Sequence, residues 1–233
     1  MKRITLLTIL YTLLTFELSA QVGEYRRDLS IGINGGCVLN QVSFKPHVSQ
    51  KLHTGMTMGI TARYTCEKYF SMICAIQAEL NYAQLGWTEK ITTSTDTYKR
   101  DVNYLQMPIM VNLGWGKERG GVKGYLVAGP HLGICIGDSE KRTGEWTPYN
   151  LYLRNRTEQY DKDIEKKFDY GITAGLGMDV STKSGHRFSL EGRYGLSLSN
   201  IFNNTKQDTF SRSANNVITV KVSYMFDILR TRN

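Results

Sequence analysis

The sequence has few prolines and few cysteines, and it has only one long hydrophobic run. Four prolines among 233 residues, beside 22 glycines and 14 tyrosines, favour long strands over disordered or collagen-like chain. A mean hydropathy of −0.33 excludes a bundle of transmembrane helices. The length suits one domain, or two small ones, and is sufficient to bury a sizeable core.

Cysteine and histidine are too scarce and too scattered to indicate a metal site. The four cysteines show no CxxC spacing, and they are Cys37, Cys66, Cys74 and Cys135. An exported chain could pair them, but the strand pattern below puts Cys37 and Cys74 on strands that are not neighbours. The four histidines likewise lack the spacing of metal ligands. We therefore predict unpaired thiols, no metal and no cofactor.

The one long apolar run lies at the start of the chain. Lys2 and Arg3 precede an apolar segment over residues 4–16, and the small residue Ala20 follows. This order is typical of a secretory signal peptide, whereas a retained membrane anchor is the less favoured alternative because the run is short for a spanning helix. Residues 1–20 are predicted to be a signal peptide, and residues 21–233 to form a single mature domain.

The formal net charge is +8. Basic chains can bind nucleic acid, but this sequence has no run of lysine and arginine with interleaved aromatics on a predicted helix. Export also argues against that function, so no nucleic-acid partner is predicted. A basic surface that faces anionic lipid headgroups is the favoured interpretation.

Alternating apolar and polar residues recur along the chain. In residues 189–199, SLEGRYGLSLS, the side chains of Leu190, Leu196 and Leu198 fall on one face of an extended chain, and those of Glu191 and Arg193 fall on the other. A period of two indicates a β-strand that separates two environments. Seven further segments share the pattern, and they cover residues 29–39, 56–65, 70–82, 104–115, 123–137, 168–180 and 218–226.

Short and long connectors alternate between these eight segments. Short connectors follow the second, fourth and sixth segments. The long connectors cover residues 40–55, 83–103, 138–167 and 200–217. Bacterial outer-membrane barrels have this asymmetry, with short turns at one end and long loops at the other. The predicted fold class is all-β, an eight-stranded antiparallel up-and-down transmembrane β-barrel.

The composition of the polar face indicates that this face points inward. A soluble lipocalin-like barrel shares the strand number and the export signal, but its polar face should be dense in lysine and glutamate. Here that face is mostly glycine, serine, threonine and asparagine, which suits the crowded interior of an eight-stranded barrel. Charges inside can balance one another. The predicted lumen charge network consists of Arg63, Glu79, Glu191, Arg193 and Lys221.

Several stretches resemble one known family. They are the signal ending in SAQ, GINGG at residues 32–36, YLQMPIMVNLGWG at 104–116, FDYGITAGLGMDV at 168–180 and VSYMF at 222–226. Together they resemble the PorT-type outer-membrane β-barrel family of small porin-like barrels, over nearly the whole mature chain. The resemblance implies a location in the outer membrane of a Gram-negative envelope, insertion by barrel assembly machinery, and for some members an association with protein export. It implies no catalytic residues.

No stretch indicates enzymatic chemistry. The glycines of GITAGLGMDV, residues 171–180, lie within an alternating strand with no helix after it, whereas a dinucleotide site needs a strand followed by a helix. The GxSxG elbow of serine hydrolases is also missing. We therefore predict that the protein is not an enzyme.

The longest connector, residues 138–167, mixes charged and aromatic residues. Exposed loops often carry function, and aromatic side chains often anchor interfaces. Trp146, Tyr149 and Tyr152 are therefore candidate interaction residues, and a mobile solvated loop is the alternative. The predicted function is a structural or interaction role for a barrel with a filled lumen, accessory to secretion or envelope integrity. The predicted partners are outer-membrane lipids, the barrel assembly machinery and envelope or secretion proteins. A small porin-like channel and a soluble ligand carrier are the alternatives.

Overall fold

The computed structural model describes residues 23–154 and 157–231, so the predicted signal peptide, residues 1–20, lies outside the described residues. Within these two ranges the secondary structure consists of eight long strands, one short strand and one short helix. In order they are β1 (Glu24–Lys45), β2 (Gln50–Lys51), β3 (His53–Tyr69), β4 (Met72–Glu89), β5 (Thr97–Gly116), β6 (Gly121–Thr143), α1 (Pro148–Tyr152), β7 (Phe168–Ser181), β8 (His186–Ser197) and β9 (Arg212–Leu229).

The eight long strands form a closed antiparallel ring. Each pairs with its neighbour in the sequence, and β1 closes the ring by pairing with both β3 and β9. The two-residue strand β2 pairs with the end of β4. The predicted fold class, an eight-stranded antiparallel up-and-down barrel, is therefore confirmed. Across the two described ranges, no helix is long and apolar enough to cross a membrane.

The apolar faces of the strands point outward. Leu190 is 52 % exposed on the outer wall, whereas Glu191 beside it is 2 % exposed and points inward. On β5 the outward apolar residues run from Trp115 to Leu105. Ten residues at about 3.3 Å each, on a strand tilted by about 40°, span a belt of roughly 25 Å, which is the height of the apolar band of an outer-membrane barrel.

The strands extend well beyond the predicted segments, so the predicted boundaries of the long connectors were wrong. β1 continues to Lys45, β4 continues to Glu89, and β5 begins at Thr97. The long connectors shrink to residues 46–52, 90–96, 144–167 and 198–211. The strands extend past the apolar belt at the end of the barrel that carries these long connectors. We call this end the loop end. The opposite end, with the tight turns, is the turn end.

The physical reason for the missed extensions is a change in the nature of the inward face. On β4, Gln77 and Glu79 point inward within the belt, and Leu85 and Trp87 point inward beyond it. The inward face thus changes from polar to apolar at the edge of the belt, because the outer wall there meets water and no longer meets lipid. A strand prediction that requires apolar residues on the same face throughout therefore ends the strand where this change occurs.

All four cysteines lie within the described part of the chain, and none forms a disulfide. Cys37 is on β1 and Cys74 is on β4, two strands that are not neighbours in the ring. Cys135 is buried on the inward face of β6.

Candidate functional site

Four of the five residues predicted for the lumen network, Glu79, Glu191, Arg193 and Lys221, come together at one level inside the barrel. Arg193 on β8 donates two hydrogen bonds to Glu79 on β4, at 2.9 and 2.6 Å. Lys221 on β9 donates to the same carboxylate at 2.5 Å and lies 3.9 Å from Glu191. Arg193 also pairs with Glu191. The register explains the meeting, because Glu191 and Lys221 face each other directly across β8 and β9.

Arg63 belongs to an adjoining layer on the turn side of this network. Its guanidinium pairs with Asp179 on β7 at 2.5 Å and donates to Gln77 at 2.9 Å. Lys123 on β6 also pairs with Asp179, at 3.1 Å. Tyr125 links the two layers, since its hydroxyl donates to Glu191 at 2.9 Å and its ring lies 4.8 Å from the Arg63 guanidinium.

These two layers, taken together as the charge layer, fill the middle of the barrel. Each side chain is buried, and each charge has at least one oppositely charged partner. Ion pairs that bond across an interior are costly to break, because loss of one partner leaves the other buried and uncompensated. The charge layer is therefore a fixed obstruction and not a set of mobile side chains lining a pore.

The turn end has its own set of ion pairs. Arg187 donates two hydrogen bonds to Asp227, at 2.7 and 3.2 Å. Arg119, in the turn after β5, lies 3.1 Å from Asp28, whose carboxylate also accepts a hydrogen bond from the backbone N–H of Thr231 at 2.5 Å. These contacts join both ends of the described chain to the β5–β6 turn and narrow the lumen at this end.

An aromatic cluster closes the loop end, and sequence reasoning missed it. Phe44, Trp87, Tyr98, Phe202 and Phe210 are all nearly fully buried. The ring centroid of Phe44 lies 5.3 Å from that of Trp87 and 5.1 Å from that of Phe210, which are ordinary distances for packed aromatic rings. We call these five residues the aromatic plug. Phe44, Trp87 and Tyr98 are inward residues of the strand extensions that the predicted segments left out, whereas Phe202 and Phe210 lie in the connector of residues 198–211.

The described parts of the longest connector, residues 144–154 and 157–167, fold down onto the aromatic plug. The Arg154 guanidinium lies 3.9 Å from the centroid of the Trp146 ring and pairs with Asp96 at 2.7 Å. The Tyr160 hydroxyl donates to Glu89 at 2.6 Å, and the Tyr160 ring lies 4.7 Å from that of Tyr98 in the plug. Burial raises the pKa of the Glu89 carboxyl. These two parts of the connector thus form a cover over the lumen.

The three candidate interaction residues on this connector differ in their surroundings. Trp146 is half-buried between Arg154 and Tyr160, so it anchors the cover. Tyr149 and Tyr152 lie on α1 and are 70 % and 86 % exposed. The helix begins at Pro148, and the Thr147 hydroxyl caps it by accepting a hydrogen bond from the backbone N–H of Asn150.

A small polar cavity separates the charge layer from the aromatic plug. Its volume is about 40 Å³, and Arg193, Lys221, His131 and Asn81 line it together with smaller side chains. This space holds roughly two or three water molecules. The His131 Nδ1 atom is buried and has no hydrogen-bond partner within residues 23–154 and 157–231, which fits a hydrated cavity. The cavity is too small to carry solutes between the two obstructions.

Comparison with known proteins gives a family match. A family model described as an outer membrane protein beta-barrel domain matches residues 19–203. This range contains every strand from β1 to β8. No match was found among the curated proteins.

Several solved structures share the architecture at low sequence identity. Ail, the attachment invasion locus protein of Yersinia pestis, is 10 % identical, with 87 % of this chain and 99 % of that chain covered and a TM-score of 0.39. OprG of Pseudomonas aeruginosa is 11 % identical, with 88 % and 95 % covered and a TM-score of 0.46. The outer membrane enzyme PagL is 10 % identical, with 86 % and 99 % covered and a TM-score of 0.38.

The family match covers well over half of the sequence, and the structure is a closed eight-stranded ring with an apolar outer belt. This chain therefore belongs to the outer membrane protein beta-barrel domain family and resides in the outer membrane.

Proposed function

We propose that the mature chain, residues 21–233, is a non-conducting barrel of the PorT type whose role is structural or interactive. It would present its outer loops to partners in protein secretion or in envelope integrity. The single observation that carries this proposal is the double closure of the lumen. The charge layer obstructs the middle of the barrel, and the aromatic plug with its cover obstructs the loop end.

The double closure favours this role over the alternative of a small porin-like channel. An eight-stranded barrel is just wide enough for side chains to fill its interior. Opening it would require rupture of the bonds from Arg193 and Lys221 to Glu79, and also displacement of the aromatic plug together with its cover. Both events would have to occur together. A soluble ligand carrier does not fit a protein of the outer membrane.

The loop end carries the proposed interaction surface. Short turns of outer-membrane barrels face the periplasm and long loops face the exterior, so α1 would point out of the cell. Tyr149 and Tyr152 extend from it into solvent, and Trp146 fixes its base to the barrel. Tyrosine is enriched at interfaces because it combines an apolar ring with a polar tip. The support for this surface is therefore the pair of exposed tyrosines on a helix that directly follows the half-buried Trp146.

We propose no catalytic residue. The acids and histidines of the interior are paired or enclosed, and the carboxylates of Glu79 and Asp179 bond to arginine and lysine at distances of 2.5 to 3.1 Å. A carboxylate held in this way is a poor general base, because its charge is already neutralised.

The interaction role is tested by genetic complementation. A deletion strain should secrete less protein into the medium or become more sensitive to detergent, and the wild-type chain should restore it. A double variant, Tyr149→Ala with Tyr152→Ala, should enter the outer membrane normally but fail to restore the phenotype. The matched control, Thr92→Ala with Thr93→Ala, alters two exposed residues of another loop and should restore it. Full restoration by the tyrosine variant would contradict the role given to α1.

A further inference from the structure

The outer wall carries a row of lysines above the apolar belt at the loop end. Lys51 on β2 lies opposite Thr88 on β4, Thr88 lies opposite Lys99 on β5, and Lys99 lies opposite Lys141 on β6. The register thus aligns three lysines around one side of the barrel. Lys99 and Lys141, which we call the lysine pair, are direct neighbours across two strands.

The lysine pair shares one buried carboxylate. The Nζ atoms of Lys99 and Lys141 lie 3.0 and 3.7 Å from the Asp101 side chain, which is 3 % exposed. His53 lies against the same carboxylate, with its Nε2 atom 3.3 Å away. One carboxylate cannot neutralise two ammonium groups, so the site keeps a net positive charge. Like charges placed directly opposite across two strands are destabilising, which makes a purely structural role for the pair unfavourable.

The lysine pair is accessible from outside. Its side chains are 38 % and 69 % exposed. On the membrane side of Lys141 the outer wall carries only small residues. Ser139 is exposed there, and a side chain at Gly137 would point into open space. Ile136 and the rest of the apolar belt follow below. From the loop end toward the membrane, the outer wall therefore presents first cations, then small side chains, and then an apolar surface.

The height of the lysine pair matches the headgroups of the outer leaflet. Lys99 lies six positions before Leu105, which is the apolar outward residue of β5 nearest the loop end. At about 3.3 Å per residue on a tilted strand, Lys99 lies roughly 15 Å above the belt. A lysine side chain reaches back by about 6 Å along the wall. Its ammonium group therefore lies among headgroups and not in bulk water.

We propose that the lysine pair binds the phosphorylated sugar headgroup of an outer-leaflet glycolipid. The two ammonium groups would donate charge-assisted hydrogen bonds to phosphate oxygens. The glycolipid's acyl chains would lie along the apolar belt below Gly137, and Lys51 would add charge at the edge. This inference rests on the location of the barrel in the outer membrane and does not depend on the role proposed for α1.

The test compares the binding of lipopolysaccharide by purified variants in nanodiscs of phosphatidylcholine. Lysines near an anionic surface each contribute enough that loss of both, in Lys99→Gln with Lys141→Gln, should weaken binding by about 30-fold. The control, Lys68→Gln with Lys183→Gln, removes the same charge at the turn end and should bind as the wild type does. Raised salt should weaken wild-type binding, because it screens exposed charges.

A second variant, which is expected to change lipopolysaccharide binding in the opposite direction, keeps the test decisive if the lysine variant folds poorly. Asp101→Asn removes the carboxylate that pairs with both lysines and should strengthen lipopolysaccharide binding several-fold. Unchanged binding in both variants would overturn the proposal. Displacement of lipopolysaccharide by millimolar inorganic phosphate would also overturn it, because the site would then be one for the free ion and not for a lipid headgroup.

Discussion

Arg193 and Glu79 form a bidentate ion pair across the interior of the barrel, with hydrogen bonds of 2.9 and 2.6 Å. The two residues are 114 positions apart in the sequence, and three strands of the ring lie between β8 and β4. Lys221 joins the same carboxylate at 2.5 Å. Glu79 is thus the acceptor on which two buried cations depend, and the first prediction concerns its removal.

Glu79→Ala should destabilise the barrel by about 3–5 kcal/mol, because the mutation leaves Arg193 and Lys221 buried with one fewer partner. The free energy of unfolding in urea, measured in detergent micelles, gives this quantity. The control is Glu24→Ala, which removes an acid that is 65 % exposed and whose partner, Arg26, keeps Glu118 as a second partner. That change should cost no more than about 1 kcal/mol. Equal costs for the two variants would contradict the proposed importance of the charge layer.

The cost in stability of placing an arginine on the outer wall should depend on whether the position lies within the apolar belt or above it. Leu176, on β7, is one of the most exposed apolar side chains of the belt, and Leu176→Arg should cost about 2–4 kcal/mol because it places a charge in the lipid. Ser139→Arg, on the outer wall above the belt, should cost about 1 kcal/mol or less. Refolding into lipid vesicles followed by urea titration measures both. A Leu176→Arg variant as stable as the wild type would show that the belt does not face lipid.

Trp87→Ala should loosen the loop end without opening the lumen. The Trp87 side chain is fully buried in the aromatic plug, and its loss should cost about 3–5 kcal/mol. Hydrogen exchange should become faster in β4 beyond Tyr82 and in the cover, and it should stay slow around Glu79. Tyr149→Ala, the control on the exposed face of α1, should change stability by no more than about 0.5 kcal/mol. Faster exchange throughout the barrel would mean that the plug and the charge layer are not separate units.

The cover should bind the barrel more tightly at low pH. Burial raises the pKa of Glu89 above its ordinary value of 4.5, so the folded cover favours the protonated acid. The stability that the protonated Glu89 carboxyl contributes to the folded cover is fully present below pH 4.5 and is lost as the pH rises through the raised pKa. Hydrogen exchange of residues 157–167 should therefore be slower at pH 4.5 than at pH 8, after correction for intrinsic rates. Glu89→Gln should abolish this difference, and persistence of the difference would assign it to another group.

The architecture could be predicted from the sequence because it depends on local patterns. Strict alternation identified the strands, and the alternating lengths of the connectors identified their order. The polar face then identified which residues point inward, as for Glu191 and Arg193. These features need only the period of two and the composition of each face.

The closure of the loop end could not be predicted in the same way. Phe44, Trp87 and Phe202 lie far apart in the sequence and meet only because the ring brings their strands and connector together. Several inward positions beyond the belt are apolar, among them Leu85, Trp87 and Val102, so they break the rule that identified the strands within it. The anchoring of Trp146 by Arg154 is likewise a tertiary contact that no spacing indicates.

The conductance of the purified wild-type barrel in planar lipid bilayers tests the central claim most directly. With the lumen obstructed by the charge layer and by the aromatic plug, we expect no sustained current steps above the lipid background across a range of voltages. Steady, reproducible openings of the folded wild-type protein would contradict the closed lumen and would favour the small porin-like channel.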